Sequence, residues 1–458
     1  MILRAFEIVS TWSADWGLLA VRASLARSRG SPEDVMANSL AKRRYACGVV
    51  ASAALALVAL AVAGERSCAE PNKQIIERAQ HYKDDVLKLW ERLVKIDSGT
   101  GDEQGLKEVG AIATEELKKL GAAIEIFPAK PAIGDNVVAS FVGTGKGRAL
   151  LIAHMDTVFA PGTAAARPFR IKDGRAYGPG VSDNKGGMIA ALFVLRILQD
   201  LNFKDYAKIT LLLNTNEETG SLGTRLLIEN LAKQHDATLN LEAGRPGDGL
   251  VIWRKGSGSI KVEVKGRAAH AGVAPDNGRN AAMELAHQLL QLGKLGNREK
   301  GTTVNFTVLK AGDRKNVIPD YAVAEGDIRA LSSEEFDRVE RELATVSKNT
   351  LIPDTEVTTS LTRLFPIMPE SAQTRALVAM AQSIYGELGK TLKLEGSGGA
   401  ADSSFSAGVF KPTLDGLGLI GGNAHSLEEY SEIESIVPRF YLLTRMVMEL
   451  GKSGMSGQ

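Results

Sequence analysis

The sequence predicts an α/β fold with a smaller α+β domain inserted into it. Two observations carry this. From Ile76 to Leu241, apolar strands alternate with helical stretches, the pattern of helices packed on a sheet. From about Gly256 the order becomes strand, helix, strand, strand, helix, strand, which is the ferredoxin-like arrangement. At 458 residues the chain is also too long for one ordinary domain.

The elements follow in order. Ile76 to Lys95 has helical periodicity, and Glu103 to Leu120 reads as a second helix. Asn136 to Val142 and Ala149 to Ala153 read as strands. A Gly-rich turn leads into a helix from Lys185 to Leu201. Ile209 to Leu213 is nearly all apolar, as expected of a strand buried on both faces. Ala237 to Leu241 is a more polar strand. In the insertion, Ile260-Lys261-Val262-Glu263-Val264 alternates strictly and predicts a half-exposed strand. Asn280 to Leu292 is helical, Val304 to Leu309 and Tyr321 to Ile328 are strands, Ser333 to Ser347 is helical, and Thr355 to Leu361 is the last strand. The expected organisation is an extension over 1–69, a first part of the α/β domain over 70–255, the insertion over 256–362, a second α/β part over 363–452 and a tail over 453–458.

The extension has its own character. Lys42, Arg43 and Arg44 precede an uncharged Ala-, Val- and Leu-rich stretch from Tyr45 to Gly64. A positive region, an apolar region and small residues at the exit form a secretory signal. Ser67-Cys68-Ala69 and Ala61-Val62-Ala63 are the candidate cleavage sites, and Met36 is the expected start. The expected location is therefore exported, periplasmic or secreted. The alternative is an anchor spanning a membrane with residues 45–64.

Composition excludes several classes. Lys plus Arg is 55 against 54 for Asp plus Glu, so no charge excess points to nucleic acid. The 2 cysteines rule out a disulfide scaffold or a Cys-rich zinc module. Chemistry gathers instead where strands end, which is where sites form in open α/β sheets. His154 ends one strand, and Asp156, two residues on, shares its face in an extended chain. Asp183 stands before a helix, where an N-cap is the competing reading. Glu217 and Glu218 follow a buried strand, and exposed loop acids are the alternative there. Glu242 follows another strand, and His425 lies in a Gly-flanked loop, where a solvated surface position is the alternative for each. In a chain with 6 histidines, such nitrogen and oxygen donors without cysteine suit zinc, with cobalt or manganese as substitutes.

These motifs resemble the dinuclear zinc hydrolases of the carboxypeptidase G (glutamate carboxypeptidase), aminoacylase and acetylornithine deacetylase type. The resemblance spans about residues 75 to 450. It rests on His154-Met155-Asp156-Thr157-Val158, Gly178-Pro179-Gly180-Val181-Ser182-Asp183-Asn184-Lys185-Gly186-Gly187, Asn216-Glu217-Glu218-Thr219-Gly220-Ser221, His270-Ala271-Gly272 and His425-Ser426. One departure is the Ala243-Gly244-Arg245 turn after Glu242, where many members have Pro or another small polar turn.

The resemblance implies a zinc-peptidase-like catalytic domain with a central mixed sheet, and an inserted domain that serves as dimerisation and lid element. It implies two zinc ions per chain. His154 and Glu242 would be terminal ligands of one, Glu218 and His425 of the other, with Asp183 bridging. Glu217 would be the general base, and Asp156 would orient His154. His270 would reach across a homodimer interface into the partner's site to stabilise the oxyanion. Arg329 and Asn316 would contact a substrate carboxylate, and Gly398 and Gly399 would belong to a Gly-rich substrate loop. From the residues alone, Arg329 also reads as a surface ion pair and Asn316 as a turn residue.

The implied activity is hydrolysis of the amide bond of a C-terminal amino acid. The expected substrates are N-acyl-glutamates, folate-like compounds or short peptides with a free carboxylate. Phe365 stands where a strictly glutamate-selective member would be expected to carry a second basic residue, with Arg363 nearby. An aminoacylase-like deacylase is therefore the alternative. An inactive binding protein is the remote one, and it would be expected to lack Glu217 or a ligand.

Overall fold

Asn72 starts the first helix by accepting the amides of Gln74 and Ile75 on its side chain. This is a computed structural model, and it describes residues 70–454; the expected signal and anchor segments lie outside the described residues. Among the described residues, no helix is long and apolar enough to cross a membrane.

The stretch read as one helix is two, α1 (Lys73–His81) and α2 (Lys83–Val94). They part at Tyr82, whose hydroxyl donates to Asp200 while its ring packs near Phe193. Periodicity alone does not show such a break, because both halves keep their apolar face inward. Helix α3 (Glu103–Lys119) follows, capped by the Asp102 side chain.

The larger sheet is built from β1 (Ala123–Pro128), β2 (Asp135–Val142), β3 (Arg148–His154), β4 (Lys208–Asn214), β5 (Ala237–Asn240) and the short β12 (Thr413–Leu414). Their order is β1-β2-β4-β3-β5-β12. Strand β2 is antiparallel to β1 and β4, whereas β3 runs parallel to both β4 and β5, so the sheet is mixed. Strand β1 escaped the sequence reading because it is an edge strand with mostly exposed residues.

Between β3 and β4 in sequence lies α4 (Lys185–Asp200), buried almost all round, as its apolar composition requires. Helix α5 (Arg225–Lys233) precedes β5, and Ile228, Leu231 and Ala232 pack against Val138, Ile152 and Leu212 on the other face.

Strand β6 (Gly249–Arg254) leads to the second sheet, which holds β7 (Gly256–Lys265), β8 (Thr303–Ala311), β9 (Tyr321–Ala330) and β10 (Glu356–Phe365). Its order is β8-β9-β7-β10, and all pairs are antiparallel. The strand–helix–strand–strand–helix–strand sequence is completed by α6 (Ala281–Leu292) and α7 (Ser333–Val346). Ile260, Val262 and Val264 face a separate core with Leu285, Phe336 and Val339, and Lys261 and Glu263 point away. The chain then returns through α8 (Ala372–Glu387), β11 (Lys393–Ser397), α9 (Ser403–Gly408) and α10 (Ile436–Ser453). Strand β11 pairs in parallel with β6, a contact between distant segments that local pattern could not reveal.

Two contacts fix the Gly-rich turn before α4. Trp90 is fully buried and donates its indole N–H to Val181 O at 3.0 Å. Gly187 lies against the end of β5, where a Cβ would come within 2.2 Å of both Asn184 Oδ1 and Leu241 O. Only a residue without a side chain lets α4 start so close to the sheet. Gly187→Ala is expected to cost about 1–3 kcal/mol, the usual penalty for overpacking. Thermal unfolding would show this as a fall of several degrees in Tm; an unchanged Tm would refute the close-packing account.

Candidate metal centre and active site

Strand β3 ends on His154, which lies in register with Asn214 of β4. Because β3, β4 and β5 are parallel, the residues that follow all three emerge on one edge of the sheet. Asp156 comes two residues after β3. Glu217 and Glu218 form a single 3₁₀ turn, Glu217–Thr219, soon after β4. Glu242 comes just after β5.

Asp183 reaches this edge from the turn before α4. Its competing role is not taken, since Asn184 is the N-cap residue and no side chain caps the helix. The Asp183 carboxylate instead lies between two imidazoles. Its Oδ1 is 3.0 Å from His154 Nε2, and its Oδ2 is 3.2 Å from His425 Nε2. His154 Nε2 is also 3.6 Å from Glu242 Oε1, and His425 Nε2 is 3.1 Å from Glu218 Oε2. The side chains thus form two groups, His154–Asp183–Glu242 and Asp183–Glu218–His425, each with donor atoms within 4.8 Å of one another. Asp183 belongs to both. His425 is delivered by a left-handed backbone, with φ of 63°. That conformation costs an L-residue about 1–2 kcal/mol and persists where tertiary contacts hold it.

Asp156 is fully buried and organises its neighbours. Its carboxylate accepts the amides of Glu217 and Glu218 at 3.0 and 3.1 Å and the Thr100 hydroxyl at 2.6 Å. His154 Nδ1 lies 3.0 Å from Asp156 O and 3.3 Å from its Oδ1, which leaves Nε2 to face the cluster. Among the described residues no hydrogen bond ends on the Glu217 carboxylate; its backbone N–H donates to Asp156 and its carbonyl accepts the Gly220 amide.

The electrostatics favour a cation. Burial pushes the Glu217 carboxyl well above the usual range, with the charges of Glu242, Asp402 and Glu218 adding to the effect. Burial, then the charge of Asp183, pushes Glu242 up to about 8. Hydrogen bonds to Asp183 and Glu218 raise His425 to about 10. Burial works to lower His154, but hydrogen bonds to Asp156 and Asp183 outweigh it and leave it well above the ordinary value. So many buried acids stay ionised together only against positive charge. The donor set of imidazole and carboxylate fits a divalent metal, and Glu218 Oε1 is buried with no hydrogen-bond partner, as a ligand atom would be.

The remaining expected residues lie elsewhere. His270 and Asn316 are brought together on the second sheet's flank: Ala269–His270 pairs with Val317–Ile318, and Ala271 N–H donates to Asn316 O. Both are exposed. His270 Nδ1 accepts the amides of Gly272 and Val273, so the neutral ring carries its proton on Nε2. Arg329 is ion-paired with Asp327, at 2.9 Å. Gly398 and Gly399 are exposed, but the Gly399 N–H is engaged by Ser397 Oγ and its carbonyl by Arg254. Arg363 is held by Asp337 and Glu340, and Phe365 is buried against Phe405. Among the described residues, no hydrogen bond or ion pair joins His270, Asn316 or Arg329 to the cluster.

Two further buried acids support these groups. Asp402 accepts from Asn214 and Ser221 beneath the Glu217 turn, and burial pushes it up to about 6. Glu429 accepts three backbone amides in the Asp183 turn. Neither carries a local signal; each is defined by segments far apart in sequence.

This fold and these ligand groups define a metal-dependent amide hydrolase. Residues 150–449 match peptidase family M20/M25/M40, and the chain belongs to that family. It is 36% identical over 394 residues to carboxypeptidase G2 of Pseudomonas sp. (strain RS-16), covering 85% of this chain and 95% of that protein. It is 31% identical over 232 residues to acetylornithine deacetylase of Proteus mirabilis (strain HI4320), covering 47% of this chain and 58% of that protein. The crystal structure of a tripeptidase from Staphylococcus aureus superposes with a TM-score of 0.68 at 23% identity, over 81% of this chain and 99% of that one.

The raised histidines carry a consequence for metal uptake. Free of metal, both imidazoles hold a proton more tightly than an ordinary histidine does, and an incoming cation must displace it. Affinity is therefore expected to rise with pH from 6 to 8, with about one proton released per histidine. Calorimetric titration in buffers of different ionisation enthalpy measures this; uptake without proton release would contradict the assigned ligands.

Proposed function

We propose that the protein is a dinuclear zinc carboxypeptidase that releases C-terminal glutamate from N-acyl-glutamates, folate-like compounds or short peptides. The observation that carries the reading is the pair of ligand groups sharing Asp183, with the untied Glu217 carboxylate beside them. The similarity to carboxypeptidase G2 supports the substrate class. His154, Glu242, Asp183, Glu218 and His425 would hold the two ions, with cobalt or manganese as substitutes. Bound there, the ions would supply polarisation of the scissile carbonyl and would make a water acidic near neutral pH.

The chain's own groups do the rest. Glu217 takes the proton of the attacking water and passes it to the leaving amine. Its burial raises its proton affinity towards the range such a shuttle needs. Asp156 fixes the His154 ring and, through the amides of Glu217 and Glu218, the turn that carries the base. His270 would offer its Nε2–H to the tetrahedral oxyanion from a partner subunit, with Asn316 and Arg329 beside the substrate carboxylate. Homodimer formation through the second sheet is supported by its edge strand β8, which leaves Val308 and Leu309 exposed. Closure of that domain would exclude water during turnover. The extension over 1–69 supports export to a compartment where glutamate conjugates are scavenged.

Aminoacylase-like deacylation is the second reading, and one observation favours it. Arg363 is occupied by Asp337 and Glu340, and Phe365 is packed in the core, so neither supplies a second cation for a glutamate side chain.

A panel of N-acyl amino acids, folate and dipeptides assayed for free amino acid separates the readings. Glutamate release is expected to dominate, and to fall by about 10²–10⁴-fold in Glu217→Gln with both ions retained, the usual size of an acid–base contribution. Faster release of neutral amino acids would move the assignment to the deacylases. The pH profile of kcat/KM is expected to lose activity on the acid side, because protonated Glu217 cannot accept the water's proton. An acid limb that is unchanged in Glu217→Asp would contradict that role.

A further inference from the structure

Two loops bring ligands to Asp183, and one buried carboxylate joins them. The short strand Tyr430–Glu432 pairs antiparallel with Arg175–Tyr177, with Tyr430 opposite Tyr177. The chain leaves this ladder twice at the same end: forward from Tyr177 to Asp183, and back from Tyr430 to His425. Glu429 is the residue just before the strand and is fully buried. Its Oε1 accepts the amides of Ser182 at 2.7 Å and Asp183 at 2.9 Å, and its Oε2 accepts that of Gly180 at 3.0 Å. The remaining amide, Val181 N–H, turns back to Gly178 O. From Gly180 to Asp183 every backbone donor is therefore engaged, and three of them end on one side chain.

A carboxylate suits this task because both of its oxygens accept. A glutamine would offer one oxygen and set its NH₂ against the Gly180 N–H. Glu429 lies outside both ligand groups. It holds the backbone from which the Asp183 carboxylate projects, while His425, four residues earlier on the same loop, meets that carboxylate itself.

We propose that Glu429 is the positioning residue for the shared ligand Asp183, and that through it Glu429 governs the affinity for both metal ions together. This rests on the two-ion reading above. A residue confined to one group, such as Glu242, loosens one ion; a residue acting through Asp183 loosens both.

The test uses the full-length protein stripped of metal by chelation. Zinc is titrated back in competition with a chromophoric chelator, and native mass spectrometry counts the ions. Wild type is expected to take two. Glu242→Gln is expected to weaken one and hold the other within a few-fold. Glu429→Gln and Glu429→Asp are expected to weaken both, by about 10–100-fold each, the usual effect of losing an outer-shell partner. Their metal-free circular dichroism is expected to match wild type, and excess zinc is expected to restore turnover.

Glu429→Gln that holds both ions at wild-type affinity, or weakens one alone, overturns the proposal. If Glu429→Gln does not fold, Glu429→Asp with wild-type affinity for both ions overturns it equally. A wild type that takes up fewer than two ions overturns the two-ion reading itself, and that result appears before any variant is compared.

Discussion

The site depends on keeping several like-charged carboxylates together in a place that water barely reaches. Asp156, Asp183, Glu217, Glu218 and Glu242 converge on one rim of the larger sheet, and Asp156 and Glu217 are buried. Their repulsion would scatter them on a flexible surface. It is resisted here by parallel pairing of β3 with β4 and β5, which fixes where each strand ends. Two imidazoles then share the Asp183 carboxylate between them. Removing that shared acid would leave two groups of like charge with nothing between them.

The interior protects this arrangement with hydrogen bonds that serve backbone and side chain at once. Asp156 orients the His154 ring and also takes the amides of the Glu217 turn. Asp402 takes Asn214 and Ser221 on either side of that turn. Trp90 and Glu429 anchor the Asp183 turn from two other directions. Preorganised supports of this kind hold the clustered side chains in one geometry. The second sheet is built differently. It has its own small core, and it carries His270 and Asn316 on an exposed flank.

Much of this was legible locally. The helix from Lys185, the buried strand before Asn214 and the alternating strand at Ile260 each carry a period that sets secondary structure. The ferredoxin-like order was readable for the same reason; the structure lengthens several of its strands and adds the short pair Ala269–His270 and Val317–Ile318. The break at Tyr82, the edge strand Ala123–Pro128 and the β6–β11 pair were not readable. Their causes are a tertiary contact to Asp200, solvent on one side, and pairing across more than a hundred residues.

The sequence by itself determined which residues could bind metal and which strands would carry them, because donor chemistry and hydrophobic period are properties of the residues. It did not decide between Asp183 as a helix cap and as a ligand, or between the Glu217 pair as loop acids and as site residues. Those alternatives turn on tertiary structure, since each depends on what faces the carboxylate from another segment, and the structure gathers these acids with two imidazoles into groups that could hold a metal. The same holds for Glu429, an ordinary loop glutamate by pattern. It matters only because the ladder between Tyr177 and Tyr430 carries it beneath the Asp183 turn, where three amides need an acceptor.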